Sequence, residues 1–143
     1  MSEPIDELSG EDGLRLQQTS DRVKIRTRGY QDLLVWQRAM DLTDWIYAST
    51  RDWPAAETYG LTAQIKRAAV SIPANIAEGN GRNGRKEYVY HLGIARGSLH
   101  EVETMVLIAQ RQGFLGNDET QDVLQRLQEV GRMLTGLIRS LSG

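Results

Sequence analysis

Two histidines, His91 and His100, and no cysteine are all that this chain offers for nucleophilic or soft-metal chemistry. Without thiols there is no disulfide framework, no thiolate nucleophile and no cysteine-based zinc site. A di-iron centre in a helical scaffold needs Glu-x-x-His on two helices plus two further inward glutamates. Here Tyr88 stands three residues before His91 and Gly97 three before His100, so that motif fails twice. His100-x-x-Glu103 has the reversed order and no twin elsewhere in the chain. Ser98 lies two positions from His100, which on a helix puts them on different faces, so the two make no catalytic dyad. The expectation is a protein that is not an enzyme and holds no metal or cofactor.

Charge is the stronger signal. Gly79-Asn80-Gly81-Arg82-Asn83-Gly84-Arg85-Lys86 has the glycines of a phosphate loop but not the Walker spacing, and no strand precedes it. It still combines a flexible turn with Arg82, Arg85 and Lys86 at the start of a helix, where phosphate oxygens are well received. Between residues 60 and 100 six bases face two acids, a local charge of +4 in a chain whose net charge is −2. Those bases, Lys66, Arg67, Arg82, Arg85, Lys86 and Arg96, are the candidate contacts to RNA or DNA, acting on charge rather than on base identity. The plainer alternative is a solvated bundle end whose charges cancel in pairs such as Arg67–Glu101 and Glu78–Arg82.

Length and composition frame these residues. A chain of 143 residues fits one domain with a real core, and 25% charged against 40% hydrophobic residues is an ordinary soluble composition. No apolar run approaches the roughly 18 residues of a membrane span. The acidic start MSEPIDELSG lacks the apolar region of a secretory signal, so a cytoplasmic location without membrane contact is expected. Residues 1–29 read as a loosely attached extension. Five acids stand against Arg15 up to Ser20, after which Arg22, Lys24, Arg26 and Arg28 alternate with Val23, Ile25 and Thr27. That second half suits a short strand or a basic arm.

From residue 30 to 143 the pattern is helical throughout. A first helix is predicted from a cap at Asp32 to about Thr50, with two apolar tracks, Val35-Ala39-Leu42-Ile46 and Trp36-Met40-Thr43-Tyr47, that imply a wide buried face. The three tryptophans, Trp36, Trp45 and Trp53, all lie on it or at its exit. A second helix, from about Ala56, carries Leu61, Ile65, Ala68, Ile72 and Ile76, and Pro73 should kink it by crowding the carbonyl of Ala69. Ser71 and Asn75 could answer the disturbed backbone, and Gly79 should end the helix at positive φ. A third helix runs from Asn83 or Gly84 to about Gln112 on the stripe Tyr88, Leu92, Ala95, Leu99, Val102, Val106, Ala109. Folding it back on the second places Gly93 near Ser71 and Gly97 near Ala68, a seam of small residues. After Gly113 and a cap at Asn117 or Asp118, the fourth helix has a heptad, Val123, Leu127, Val130, Leu134, Leu137, Leu141, widened by Leu124 and Ile138. Four helices on short connections predict an all-α, antiparallel up-and-down four-helix bundle.

Four segments together resemble a bacterial family: YQDLLVWQRAMDL, the spacing WP-x-x-E-x-YGL, QIKRAAVSIPANIAEGNGR, and KEYVYHLGIARGSLHEVE. They look like the 23S rRNA-intervening-sequence proteins, over about residues 30–141. The resemblance implies a four-helix bundle that assembles into a ring, typically a homopentamer, encoded in large-subunit rRNA insertions or elsewhere on the chromosome. A related branch serves as accessory protein to the reverse transcriptase of diversity-generating retroelements, where a basic barrel binds nucleic acid. A protein-binding scaffold with such a client is therefore the alternative to direct nucleic-acid binding. The family's signature positions kept here are Gln64, Arg67, Ser71, Asn75, Glu78, Gly79, Gly97, Ser98 and Glu101. The resemblance carries no catalytic residues. Gly84, where a serine cap is expected, and the N-terminal extension depart from it.

Overall fold

The computed structural model describes residues 29–143, so the acidic segment, the 23–27 alternation and the basic arm lie outside the described part. Four helices, α1 (Leu34–Thr50), α2 (Leu61–Asn80), α3 (Arg85–Arg111) and α4 (Asn117–Ser142), carry the fold, with short 3-10 turns at Tyr30–Asp32 and Ala55–Glu57 and no strand among the described residues.

The apolar stripes close on one another as their spacing requires. Val35, Ala39, Leu42 and Ile46 of α1 meet Ile65, Ala68, Ile72 and Ile76 of α2, Leu92, Ala95, Leu99, Val102, Val106 and Ala109 of α3, and Val123, Leu127, Val130 and Leu134 of α4 in one core. Leu137, Leu141, Leu124 and Ile138 pack on its flank. The second track of α1 does not widen the core as expected: Met40 is 39% and Tyr47 41% exposed, and Trp36 is half-buried. The first track is buried throughout, whereas the second is divided: Met40 and Tyr47 lie on the shoulder, Thr43 faces α2, and Trp36 packs on the flank of the core, met edge-on by Tyr30 at 5.3 Å.

Helix starts depart from the sequence reading by a few residues, each for a visible reason. Asp32 does not cap α1. It belongs to the 3-10 turn, which the Gln37 side chain fastens by donating to the Gln31 carbonyl at 2.9 Å, and α1 begins only beyond Leu33. Glu57 stands outside α2 rather than in its first turn, and its carboxylate accepts the N–H of Leu61 at 3.0 Å, capping the helix from the preceding turn. Glu119, not Asn117 or Asp118, satisfies the entry to α4, accepting the Gly116 N–H at 3.0 Å. Asn117 instead accepts from Gln110 across the turn at 2.9 Å. At the end of α3, Gly113 takes φ 83°, and the N–H groups of Gly113 and Phe114 return to the carbonyls of Gln110 and Ala109. That closure pairs the last carbonyls and sets Phe114 against the buried Trp53, ring centroids 5.9 Å apart.

Pro73 does not break α2, which continues unbroken to Asn80. The carbonyl it leaves unpaired, that of Ala69, is reached from another helix: Thr43 of α1 places its hydroxyl 3.3 Å away, and 2.9 Å from its own Ala39 carbonyl. Thr43, rather than Ser71, answers the proline. Gly79 also differs from expectation. It lies inside the helix and is buried, and a Cβ there would come within 2.9 Å of His91 Cβ and 3.0 Å of the Tyr88 ring. The close approach of α2 and α3 is therefore at Gly79. Gly93 and Gly97 are exposed, with nothing within 4 Å of a Cβ built on either. The stripe through Leu92, Ala95 and Leu99 takes the inner face and turns both glycines outward. The seam nearer mid-helix is polar, joined where Ser98 donates to the Ser71 hydroxyl at 2.8 Å.

Candidate nucleic-acid interface

The basic turn is built by the end of α2 and the start of α3. Asn80, the last helical residue, donates from its amide to the Tyr88 hydroxyl at 3.1 Å, tying the two helices just below the turn. Gly81 and Arg82 keep their N–H groups on the carbonyls of Ala77 and Gly79, so the chain leaves α2 gradually. Gly84 then takes φ 112° and ψ 146°, a conformation open in practice to glycine alone. This is why a serine cap is absent: a side chain there would strain the turn. Arg85 opens α3, and no side chain caps its first N–H groups.

At this end Arg82 is paired with Glu78 one turn back, both about half exposed, as the sequence suggested. Arg85 and Lys86 are exposed, and neither has a carboxylate within 4 Å among the described residues. Glu87 in the same first turn already meets part of the helix dipole. The turn thus presents two free cations and one paired cation above uncapped backbone donors.

The remaining three candidates lie elsewhere. Lys66 is half-buried, its ammonium 4.9 Å above the Tyr47 ring, where a cation is attracted by the ring face. Arg67, its neighbour, lines a shallow cavity of about 340 Å³ between α2 and α3 with Gln64, Ser71, Ser98 and Glu101. The expected Arg67–Glu101 ion pair is not made among the described residues; the two share the cavity rather than a contact. Arg96 turns toward α4, donating to the Thr135 hydroxyl at 3.5 Å. Arg67 and Arg82 are separated by about 22 Å of helical rise, and Arg85 and Arg96 by about 16 Å. Within one chain the six bases therefore make a cluster of three at the turn and three isolated positions on different faces.

His91 is committed to the seam. Its Nδ1 lies 3.0 Å from Asn75 Oδ1, and the Asn75 amide nitrogen donates to the Ser71 carbonyl at 2.9 Å and to its hydroxyl at 3.0 Å. With the amide oriented so, Nδ1 carries the proton and donates. Sequence reasoning missed two bases, Arg132 and Arg139 of α4, because the basic count stopped at residue 100. Their spacing of seven, two helical turns, places them on one face and was the available signal.

The sequence model of the 23S rRNA-intervening sequence protein family matches residues 31–136. The chain belongs to this family. The match runs from the 3-10 turn before α1 to the last turns of α4, so it takes in the basic turn and the polar seam together. A crystal structure from the S23 ribosomal protein family of Bacteroides thetaiotaomicron, of a protein of unknown function, is similar at 20% identity with a TM-score of 0.69, covering 74% of this chain and 96% of that one. At that identity the likeness shows the fold alone. No curated protein matches the chain.

Proposed function

We propose that this member of the 23S rRNA-intervening sequence family is a non-enzymatic cytoplasmic bundle protein that assembles as a ring-shaped homo-oligomer, a pentamer, and binds RNA or DNA through backbone phosphates. The observation that carries the binding is the pair Arg85 and Lys86, exposed and free of carboxylate partners among the described residues, at the uncapped start of α3. In a ring, each subunit adds one such turn, so the isolated cations of one chain would recur around the assembly and act together. For α2 and α3 an antiparallel course is supported by the order of cross-helix pairs: Ser71 with Ser98, Asn75 with His91, Asn80 with Tyr88. None of the described helices is long and apolar enough to cross a membrane.

Binding of a structured RNA and of duplex DNA, titrated against salt, tests this reading. Affinity should fall steeply with ionic strength, and replacing Arg85 and Lys86 together by glutamate should lower both the affinity and the salt slope, the latter by roughly 2 per engaged subunit. Absent or salt-independent binding to both ligands would sink it.

A second reading, a scaffold that holds a protein client such as a retroelement reverse transcriptase, is favoured by the exposed apolar residues of α3. Tyr90 is 66% exposed, with Ile94 one turn on and the open Gly93 and Gly97 between and beyond. Capture of a stable protein partner that survives nuclease treatment would favour the scaffold over direct binding.

A further inference from the structure

The groove between α3 and α4 does not include the residues of the basic turn and holds a second concentration of positive charge. It is shallow and open, about 460 Å³, with Arg96 and His100 of α3 and Arg132, Thr135 and Arg139 of α4 around a floor of Leu99, Gly131 and Gly136. No acid lines it, and none of its three arginines has a carboxylate within 4 Å among the described residues. Three other arginines do find such partners, Arg38 with Asp41 and Glu129, Arg82 with Glu78 and Arg126 with Asp122, while Arg67 and Arg85, like the three here, make no ion pair among the described residues.

A simpler account covers only part of this. Arg139, in the last turn of α4, complements the negative end of the helix dipole. Arg132 and Arg96 stand well inside their helices, where the dipole gives no reason for a cation. The groove is also kept open by what is missing from its wall. Gly136 sits one helical turn from Arg132 with free space where a Cβ would be, although glycine within a helix costs about 1 kcal/mol relative to alanine. Beneath it Leu99, almost wholly buried, packs against Gly131.

We infer that this groove is an oxyanion site for clustered phosphate groups, with Arg96, Arg132 and Arg139 as the charged donors and the Thr135 hydroxyl as a neutral one. Guanidinium forks fit phosphate oxygens two at a time, and three of them lining one groove from two helices suit a di- or triphosphate or successive backbone phosphates better than a single anion. The site shares Arg96 with the nucleic-acid reading and otherwise stands apart from it, since neither Arg85 nor Lys86 reaches the groove.

Inorganic triphosphate is the probe. Titrated calorimetrically into the full chain at low salt, it should show one saturable site per chain. Arg132→Gln with Arg139→Gln should weaken it at least tenfold while the thermal midpoint stays near that of the parent, both side chains being exposed. The double charge reversal at Arg85 and Lys86 should leave triphosphate binding unchanged, so this site can fail while the turn binds RNA, and the reverse. Displacement of triphosphate by a short single-stranded RNA would identify the natural ligand as backbone phosphate; undisturbed binding of both would identify it as a small polyphosphate. No saturable binding, or equal affinity in a folded glutamine variant, would overturn the inference.

Discussion

Gly79 and Gly93 are both glycines within helices, yet they answer opposite requirements. At Gly79 a methyl group would lie 2.9 Å from His91 Cβ and 3.2 Å from the Tyr88 carbonyl, atoms tied to the α3 backbone that cannot swing aside. At Gly93 the same methyl would meet nothing. Gly79→Ala should therefore destabilise the fold by about 1–3 kcal/mol through overpacking, whereas Gly93→Ala should stabilise an isolated chain by roughly 1 kcal/mol through helix propensity. Urea unfolding of the two variants side by side checks the contrast, and equal midpoints would contradict it. The sequence could not separate these residues. It shows that a helix carries a glycine, but the reason lies in a neighbour brought close by folding, so the seam was placed at Gly93 and Gly97 when it belongs to Gly79 and the serine pair.

At the scale of the element, most of each helix was legible, since stripes at helical spacing have one way to be buried. The stripes of α2, α3 and α4 turned inward as read, and the ends were off by a few residues because capping came from unexpected side chains, Glu57 and Glu119. The proline of α2 was legible as a disturbance and its remedy was not. Thr43 is 26 positions away from Ala69, and only packing α1 on α2 brings its hydroxyl to the orphaned carbonyl. Its single proton is divided between that carbonyl and Ala39, so one bond is made at a time. Thr43→Val, which keeps the shape and removes the proton, should lower stability by about 1 kcal/mol. The urea midpoint should fall with the slope unchanged, and an unmoved midpoint would mean that the carbonyl finds another donor.

For the whole molecule, the candidate site was legible as residue types but not as a surface. Counting charges found the turn, where Arg85 and Lys86 are free, yet it joined them to Lys66, Arg67 and Arg96, which one chain holds apart on different faces. Only an assembly would bring such positions into repeated proximity. The exposed line Tyr90, Ile94, Gly97 on α3 offers a face for it, and Gly97 tests whether that face is used. Gly97→Ala should raise the stability of a monomer by roughly 1 kcal/mol and, if the proposed ring packs on this face, weaken it, because a neighbour there would meet the added methyl. Mass in solution, measured beside the thermal midpoint, reads both effects. A ring that forms as readily as before would exclude this face from the interface.

An apolar seam alone tolerates sliding. Moving α3 along α2 by one helical turn, about 5.4 Å, would lay aliphatic side chains on one another much as before. The hydrogen-bonded line from Ser98 through Ser71 and Asn75 to His91 permits no such shift. Its contacts are all between 2.8 and 3.0 Å, so a displacement of one turn would break every link that crosses between the helices and leave the Ser98 hydroxyl stranded in the interior. These four polar residues give the two helices a single register, as teeth do for a rack. The distance from that register to the turn above it is set by the length of the helices, so Arg85 and Lys86 stand at one height on every copy of the chain.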